Sequence, residues 1–320
     1  MRCLLPWLLL FPSYAAAQAG EGAVARVEET LFFASDRAGE YEIWSLRDGR
    51  LRQITGDPNT DAWWPRLSPD GQRLLFYRSP EGSGDGAYED AALWVADAGG
   101  KNARELIPKG ANGWRAQGTA AWSPDGKRLV MAARASDGRW NLYLTGADDR
   151  QPVRVNRRTG LFCDPCFAPD GTRLVYSAYP EEYDGLDVRR LEIHTSRLDG
   201  SDERRLTDDL LRDHDPCWSP DGSEIAFETA VEPLYLLLGK WALRSVRPDG
   251  GGLRTLLDDG QVNSVPRWTS DSKTIYFHRH VFWTAKFHLA RIQRDGSGLE
   301  DVTTGSRFRD TSVDVRPRRP

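Results

Sequence analysis

The sequence predicts an all-β fold, a six-bladed β-propeller of four-stranded antiparallel blades, on three observations. A Pro-Asp-Gly turn motif recurs along the chain at nearly even intervals. Short strand patterns follow each copy of the motif. The chain also begins and ends out of phase with this repeat, so that its two ends together complete one unit.

The repeated motif is clearest at residues 215–222, which read DPCWSPDG. Its second Asp recurs at positions 70, 125, 170, 221 and 271, with steps of 55, 45, 51 and 50 residues, and the last copy is degenerate. A period of this length is typical of propellers or solenoids. Pro and Asp favour the central positions of a tight turn, and Gly tolerates positive φ where the hairpin continues. The motif therefore predicts a turn between the first two strands of each unit, and the aromatic residue before it is expected to pack between blades.

The two ends of the chain carry complementary parts of a unit. Residues 31–35, 41–46 and 51–55 have the apolar or alternating pattern of strands but follow no motif. Residues 309–317 resemble residues 212–220, which form a first strand, with the rest of the unit missing. We expect this C-terminal strand to join the N-terminal blade, which closes the ring and leaves no open sheet edge between the ends.

The composition sets the class of protein. The 320 residues carry 43 basic and 47 acidic side chains, a net charge of −4, which gives no electrostatic reason to expect nucleic-acid binding. Residues 1–19 have the charged start, short apolar run and small-residue end of a signal peptide, although a buried N-terminal strand is the alternative. The apolar run is too short to span a membrane. We expect an exported protein, preferably periplasmic, with residues 20–320 as a single propeller domain.

Three cysteines follow the predicted signal peptide: Cys163, Cys166 and Cys217. With an odd number, at most one internal disulfide can form. Cys163 and Cys166 match a Cys-x-x-Cys pattern, but they precede a strand turn and not a helix N-terminus, where a thiolate is stabilised. A structural role is therefore expected for them, and their disulfide state stays open.

The repeated Pro-x-Trp-Ser-Pro-Asp-Gly, followed by three strands of which the last ends in Ile54-Thr55 or Leu206-Thr207, resembles the TolB-type β-propeller repeat, a WD40-like Pro-Asp repeat family. The resemblance covers about residues 28–317. It implies a propeller, and related propellers occur in Tol-Pal components, peptidase accessory domains and some polysaccharide lyases. The TolB family has an α/β domain before its propeller, whereas here about ten residues separate the predicted signal peptide from the first strand.

The loops opposite the turn motifs are predicted to form the functional face. They vary most in length, they are rich in Asp and Glu, and loops on a rigid scaffold commonly carry binding residues. Solvated loop charge is the alternative interpretation, and the two tryptophans also suit packing between blades. The candidate partner-binding residues are Trp63, Trp64, Tyr88, Glu181, Glu182, Tyr183 and Asp184.

Three residues are candidate metal ligands in the channel. Asp164 and Asp215 occupy matching places in neighbouring units, and His214 lies beside Asp215. Converging first strands would direct these side chains into the channel, where oxygen ligands suit calcium or another divalent cation. Capping of local turns by the two carboxylates is the alternative. No other cofactor is expected.

The function that the sequence favours is a non-catalytic, protein-binding scaffold of the periplasm or cell envelope. The sequence contains no Gly-x-Ser-x-Gly or His-Glu-x-x-His catalytic motif and no phosphate-binding glycine loop. We expect a monomer with a protein partner, no nucleic acid and no stable membrane insertion. The alternative is a glycan-active lyase or hydrolase, metal-assisted or not, with its site at the central channel.

Overall fold

The computed structural model describes residues 24–148, 151–180, 190–209, 211–231, 239–281, 286–304 and 308–316. The predicted signal peptide, residues 1–19, lies outside them. Two 3₁₀ helices, Asp36–Ala38 and Ala111–Gly113, accompany the strands of the described part.

The strands follow the predicted units closely. The first half of the chain contains β1 Leu31–Ser35, β2 Glu42–Arg47, β3 Arg50–Gln53, β4 Thr60–Leu67, β5 Arg73–Pro80, β6 Ala92–Asp97, β7 Arg104–Ile107, β8 Ala116–Trp122, β9 Arg128–Arg134, β10 Trp140–Gly146 and β11 Val153–Arg154. The second half contains β12 Phe162–Phe167, β13 Arg173–Ala178, β14 Glu192–Arg197, β15 Arg204–Arg205, β16 Arg212–Trp218, β17 Ile225–Ala230, β18 Trp241–Val246, β19 Arg254–Leu257, β20 Val262–Trp268, β21 Thr274–His280, β22 Phe287–Gln293, β23 Glu300–Asp301 and β24 Asp310–Val315.

These strands form four separate four-stranded antiparallel sheets and one eight-stranded sheet. The all-β fold and the four-stranded unit are confirmed, but the prediction of six separate sheets is wrong. The eight-stranded sheet joins two antiparallel runs, β16–β19 and β20–β23, through one parallel bridge between Trp241 and Val262. The bridge forms because the Trp241 N–H donates a hydrogen bond to the Gln261 carbonyl at 2.9 Å, directly before β20.

The C-terminal strand closes the ring as expected. β24 pairs antiparallel with β1, with Val315 opposite Leu31 and Asp310 opposite Ser35, in the sheet order β24-β1-β2-β3. Val313 is fully buried in the apolar cluster that also contains Leu31 and Phe33. The two ends of the described chain therefore share one sheet and one core.

The turn motifs have the predicted geometry. In the copy at residues 215–222, the Ser219 side chain donates to Asp221 Oδ1 at 2.6 Å and accepts from the Glu224 N–H at 3.0 Å. Gly222 adopts φ of 72°, the left-handed region that glycine tolerates without a Cβ clash. The aromatic residue before the turn contacts the preceding unit, since the Trp268 indole donates to the Cys217 carbonyl at 3.2 Å. Both parts of the motif are thus structural.

A β-bulge recurs in the innermost strand of every unit. The register of β4, β8, β12, β16 and β20 shifts against the neighbouring strand, and the β24–β1 pairing shifts at the same level. Five non-glycine residues at these bulges have φ between 49° and 57°: Trp64, Asp164, Asp215, Val265 and Ser312. A bulge inserts one extra residue and re-aims the side chains around it. The bulges therefore decide which residues line the channel.

Candidate functional site

The two tryptophans predicted for partner binding are buried. Trp63 is fully buried, stacks on Tyr77 with ring centroids 4.9 Å apart, and donates its indole N–H to Ser79 Oγ at 3.0 Å. Trp64 is 6% exposed, and the guanidinium carbon of Arg66 lies 4.1 Å from the centroid of its ring. The expectation that they form an exposed face is wrong, and the packing alternative describes them.

Tyr88 lies at the mouth of the channel on the loop of residues 81–91. Its ring meets Trp63 and Trp140 edge-on, at centroid distances of 5.3 and 6.1 Å. The same loop reaches inward, because Asp85 Oδ2 accepts hydrogen bonds from Thr311 Oγ1 at 2.6 Å and Ser312 Oγ at 3.0 Å. The loop therefore covers one side of the channel mouth.

The acidic loop face is largely charge-compensated. Candidate residues Glu181, Glu182, Tyr183 and Asp184 lie outside the described residues. The acidic side chains of the described loops are mostly paired, in Arg37–Asp310, Arg78–Asp57, Lys109–Asp90, Arg134–Glu89, Arg244–Asp209 and Arg279–Asp259. Because exposed ion pairs hold little unbalanced charge, this face is less acidic than the sequence alone indicates.

A cavity of about 190 Å³ opens at the channel mouth. Its walls are apolar or aromatic, formed chiefly by Tyr88, Trp140, Leu161 and Leu191, and its floor is polar, with His214 and two carboxylates. Ligand sites typically combine such apolar walls with a few convergent polar groups. This channel-mouth cavity is the candidate functional site.

The three predicted metal ligands meet at the floor of this cavity. His214 Nδ1 lies 2.9 Å from Asp164 Oδ2 and 4.0 Å from Asp215 Oδ2. The left-handed conformation of both aspartates, with φ of 52° and 49°, places their carboxylates at the same level of neighbouring inner strands. The structure therefore brings together the residues that the sequence had placed in matching positions.

Two further side chains belong to this cluster. Glu228 stands opposite His214 in the β16–β17 pairing, and potential ligand atoms of His214, Asp215 and Glu228 all lie within 4.8 Å of one another. Cys163 Sγ lies 3.9 Å from His214 Nε2, on the other side of the ring. Cross-strand register could have identified Glu228, but the register becomes known only when the bulge in β16 is placed.

The ionisable groups of the cluster influence one another strongly. Burial opposes ionisation of Asp164, but the adjacent His214 ring outweighs it and lowers the pKa of that carboxyl to about 2. Burial also opposes protonation of His214, yet Asp164 raises the pKa of the imidazole well above its ordinary value. Burial and then Asp215 raise the pKa of Glu228 to about 8. Asp164 and His214 thus form an ion pair beside a carboxyl that stays protonated near neutral pH.

The thiols do not provide a nucleophile in the cavity. The three described cysteines are free. Burial, and next the charge of Asp164, raise the pKa of Cys163 to about 12, so that it stays a neutral thiol. Cys166 and Cys217 face each other at a lower level of the channel, in a second cavity of about 120 Å³ that Arg66 and Arg267 also line.

A larger cavity lies away from the channel. It is an open cleft of about 1130 Å³ between the first two sheets, with arginines at 26, 47, 50, 52, 73 and 316 along it. Arg73 and Arg316 are already bonded to the Gly126 and Gly71 carbonyls. The cleft lacks the convergent buried groups of the channel-mouth cavity, so size alone does not identify the site.

No helix within the described ranges is long and apolar enough to cross a membrane.

No protein-family model matches the chain. Among curated proteins, it is 26% identical over 277 residues to an uncharacterised protein of Agrobacterium fabrum, covering 75% of this chain and 91% of that protein. It is 28% identical over 148 residues to a TolB homologue of Chlorobium luteolum, covering 46% of this chain and 30% of that protein. The matched region is thus less than a third of the TolB homologue.

Solved structures support the fold. A protein of Agrobacterium tumefaciens that is assigned as TolB superposes with a TM-score of 0.64 at 18% identity, covering 91% of this chain and 99% of that one. TolB of Acinetobacter baumannii superposes with a TM-score of 0.70 at 16% identity, covering 92% of this chain and 68% of that one. An oligogalacturonate lyase in complex with manganese superposes with a TM-score of 0.57 at 15% identity, covering 88% of this chain and 76% of that one. Identities this low establish the propeller fold and not the activity.

Proposed function

We propose that this chain, which folds as a TolB-like β-propeller, is an exported binding scaffold that holds a segment of an envelope protein at its channel mouth. Six blades remain our proposal for the ring, with the two antiparallel runs of the eight-stranded sheet taken as two blades. The signal-peptide pattern of residues 1–19 supports export, and residues 20–320 make up the single binding domain.

The observation that carries this proposal is the channel-mouth cavity itself. Its apolar walls and its volume of about 190 Å³ suit one large apolar or aromatic side chain of a partner. Burying such a side chain contributes about 1.5–3 kcal/mol, which is typical of the anchor residue of an interface. The charge-compensated loops around the mouth would then form the polar rim that surrounds an interface core.

Photo-cross-linking tests the proposal. A photoreactive amino acid replaces Leu161, which lines the cavity and is half-buried, and in a matched control it replaces Leu299, which is 41% exposed at the outer edge of the ring. We expect position 161 to yield one discrete cross-linked envelope protein in cells and position 299 to yield none. The same products from both positions, or none from 161, would contradict a site at the channel mouth.

The glycan-active alternative draws on one observation, the His214–Asp164 pair at the cavity floor. A carboxylate beside an imidazole orients it for proton transfer, which a lyase needs. Incubation with oligogalacturonate should then release unsaturated products, detected by their ultraviolet absorbance, and His214→Ala should abolish the release. Under the scaffold proposal, the unmodified protein releases none.

A further inference from the structure

We infer that His214, Asp164, Asp215 and Glu228 form a binding site for a divalent transition-metal ion at the floor of the channel-mouth cavity. This inference is independent of the proposed function, since it concerns the ion alone. It adds Glu228 to the residues that the sequence indicated, and it replaces calcium by an ion of a different class.

Three carboxylate side chains lie close to the His214 ring, Asp164 in direct contact and Asp215 and Glu228 as a triplet with the imidazole. Asp164 Oδ2 lies 2.9 Å and Asp215 Oδ2 lies 4.0 Å from His214 Nδ1, and Glu228 completes a triplet within 4.8 Å. Ligand atoms bound at about 2.0–2.2 Å from one ion lie roughly 3–4 Å apart, so small side-chain adjustments complete a shell. His214 and Asp215 of β16 thus converge with Glu228 of the adjacent strand β17 and with Asp164 of β12 in the preceding unit.

Two buried carboxylate oxygens in this cluster accept no hydrogen bond from a described residue. Asp164 and Asp215 are 8% and 9% exposed, and neither Asp164 Oδ2 nor Asp215 Oδ1 has a hydrogen bond from any described residue. Asp164 Oδ2 is close to the imidazole but does not meet hydrogen-bond geometry, although its other oxygen accepts from Thr119 Oγ1 at 3.2 Å. Buried carboxylate oxygens that accept no hydrogen bond are costly, and an ion between them and Nδ1 would satisfy both.

The imidazole decides the class of ion. Calcium takes six to eight oxygen ligands, whereas imidazole suits zinc, copper, iron and nickel, and mixed carboxylate–imidazole sites also hold manganese. Four ligands with one nitrogen match the coordination of zinc, which commonly keeps four. Zn²⁺ is therefore expected to bind more tightly than Ca²⁺.

The far side of the imidazole also fits this assignment. When Nδ1 holds the ion, Nε2 carries the proton and faces Cys163 Sγ at 3.9 Å, an outer contact of the kind that orients metal-bound histidines. Arg212 Nη2, which lies 3.2 Å from Nε2, is a neighbouring cation that opposes the ion. Its guanidinium lies over Trp241, 5.3 Å from the ring centroid, and has to turn away from Nε2.

Equilibrium dialysis of the metal-stripped full chain against Zn²⁺, Mn²⁺ or Ca²⁺ tests the inference. We expect one Zn²⁺ per chain, bound at least about tenfold more tightly than Ca²⁺. Asp215→Asn and Glu228→Gln should each weaken Zn²⁺ binding at least about tenfold, because in each a neutral amide replaces a carboxyl group that gives up its proton to bind the ion. Asn tolerates the left-handed backbone at 215, and Gln keeps an acceptor for the Val265 N–H, so that both changes preserve the fold.

Three further variants test which side chains hold the ion. Asp148→Asn, at a carboxylate that is 74% exposed, should leave Zn²⁺ affinity unchanged. Cys163→Ser should retain binding, and Arg212→Ala should tighten it several-fold by removing the opposing cation. No bound Zn²⁺, a preference for Ca²⁺, unchanged affinity in the Asp215 and Glu228 variants, or loss of binding in Cys163→Ser would each overturn the assignment. If one ligand variant fails to fold, the other variant and the ion preference of the unmodified chain still decide.

Discussion

The side chains that line the channel are oriented by bulge residues of the inner strands whose backbone is in the left-handed conformation. In five inner strands a residue at the bulge adopts the left-handed conformation, and this residue is Asp in β12 and β16 but Trp, Val and Ser in β4, β20 and β24. Such conformations cost about 1–3 kcal/mol each for residues other than glycine and persist only where the surrounding structure fixes them. Asp is among the residues that adopt them most readily, so the two channel aspartates are also the least strained.

A partly buried histidine near the channel, His278, predicts how stability depends on pH. His278 Nδ1 accepts the Ser312 N–H at 3.1 Å, and burial, followed by Arg267 and Arg66, lowers its pKa from 6.5 to about 3. Between these values the unfolded chain binds a proton that the folded chain does not, so stability falls as the pH is lowered through this window.

His278→Asn is therefore expected to reduce this acid sensitivity, because Asn retains an acceptor but does not titrate. Between about pH 7 and pH 4.5, the decrease of Tm should be smaller by about 2 °C or more in the variant. Thermal unfolding followed by circular dichroism measures this. An equal decrease in both proteins would show that the histidine does not contribute.

The turn between the first two strands of a unit can be tested by exchanging residues between units. The Ser219 hydroxyl is buried and makes two hydrogen bonds, whereas the corresponding residue in the preceding unit is Ala168. Ser219→Ala should destabilise the protein by about 1–2 kcal/mol, because it leaves the Glu224 N–H without its acceptor. Chemical denaturation gives the free energy of unfolding.

The reciprocal change serves as the control. Ala168→Ser should stabilise the protein by about 0.5–1 kcal/mol, because it supplies the hydroxyl that the other units use. Both changes shifting stability in the same direction would mean that the hydroxyl is not the stabilising group.

These elements also show what sequence patterns reveal and what they leave out. The motif spacing and alternation predicted the four-stranded units and the closing strand, because turns and strand periodicity are local. The bridge between Trp241 and Val262 was not predicted, since it depends on how closely two units approach. Glu228 was missed for a similar reason: its pairing with His214 depends on the bulge that lies between His214 and Cys217.

Burial and long-range ion pairing explain the remaining differences between the predictions from sequence and the structure. Trp63 and Trp64 follow an acidic loop in the sequence and were expected at the surface, yet both belong to β4, where aromatic rings fill space beside the channel. Asp57 and Asp209 belong to loops that the sequence indicated as acidic, but Arg78 and Arg244 come from other strands to pair with them. Sequence alone does not contain these long-range partners.

The ring as a whole depends on its closing strand. Val313 of β24 is fully buried against the first strand, whereas Val153 of β11 is 69% exposed at an outer edge. Val313→Asp should destabilise the protein by more than about 4 kcal/mol, because it buries an unpaired charge and frees the β1 edge. Val153→Asp should change stability by less than about 0.5 kcal/mol.

Thermal and chemical unfolding of the two variants measures this difference. Comparable stability of both would mean that the ring does not need the β24–β1 pairing, and that the rest of the propeller holds together without closure.

The proposed partner binds at the channel mouth and not at the acidic loop face. The most direct measurement compares affinities for the partner identified by cross-linking from position 161. Leu161→Arg, which places a charge in the apolar wall, should weaken binding at least about tenfold, as expected for the anchor pocket of an interface. The double change Glu89→Lys and Asp90→Lys, on exposed loop residues, should alter affinity by less than about threefold, since exposed rim charges contribute little. The opposite pattern, with binding lost in the loop variant and kept in Leu161→Arg, would contradict the account.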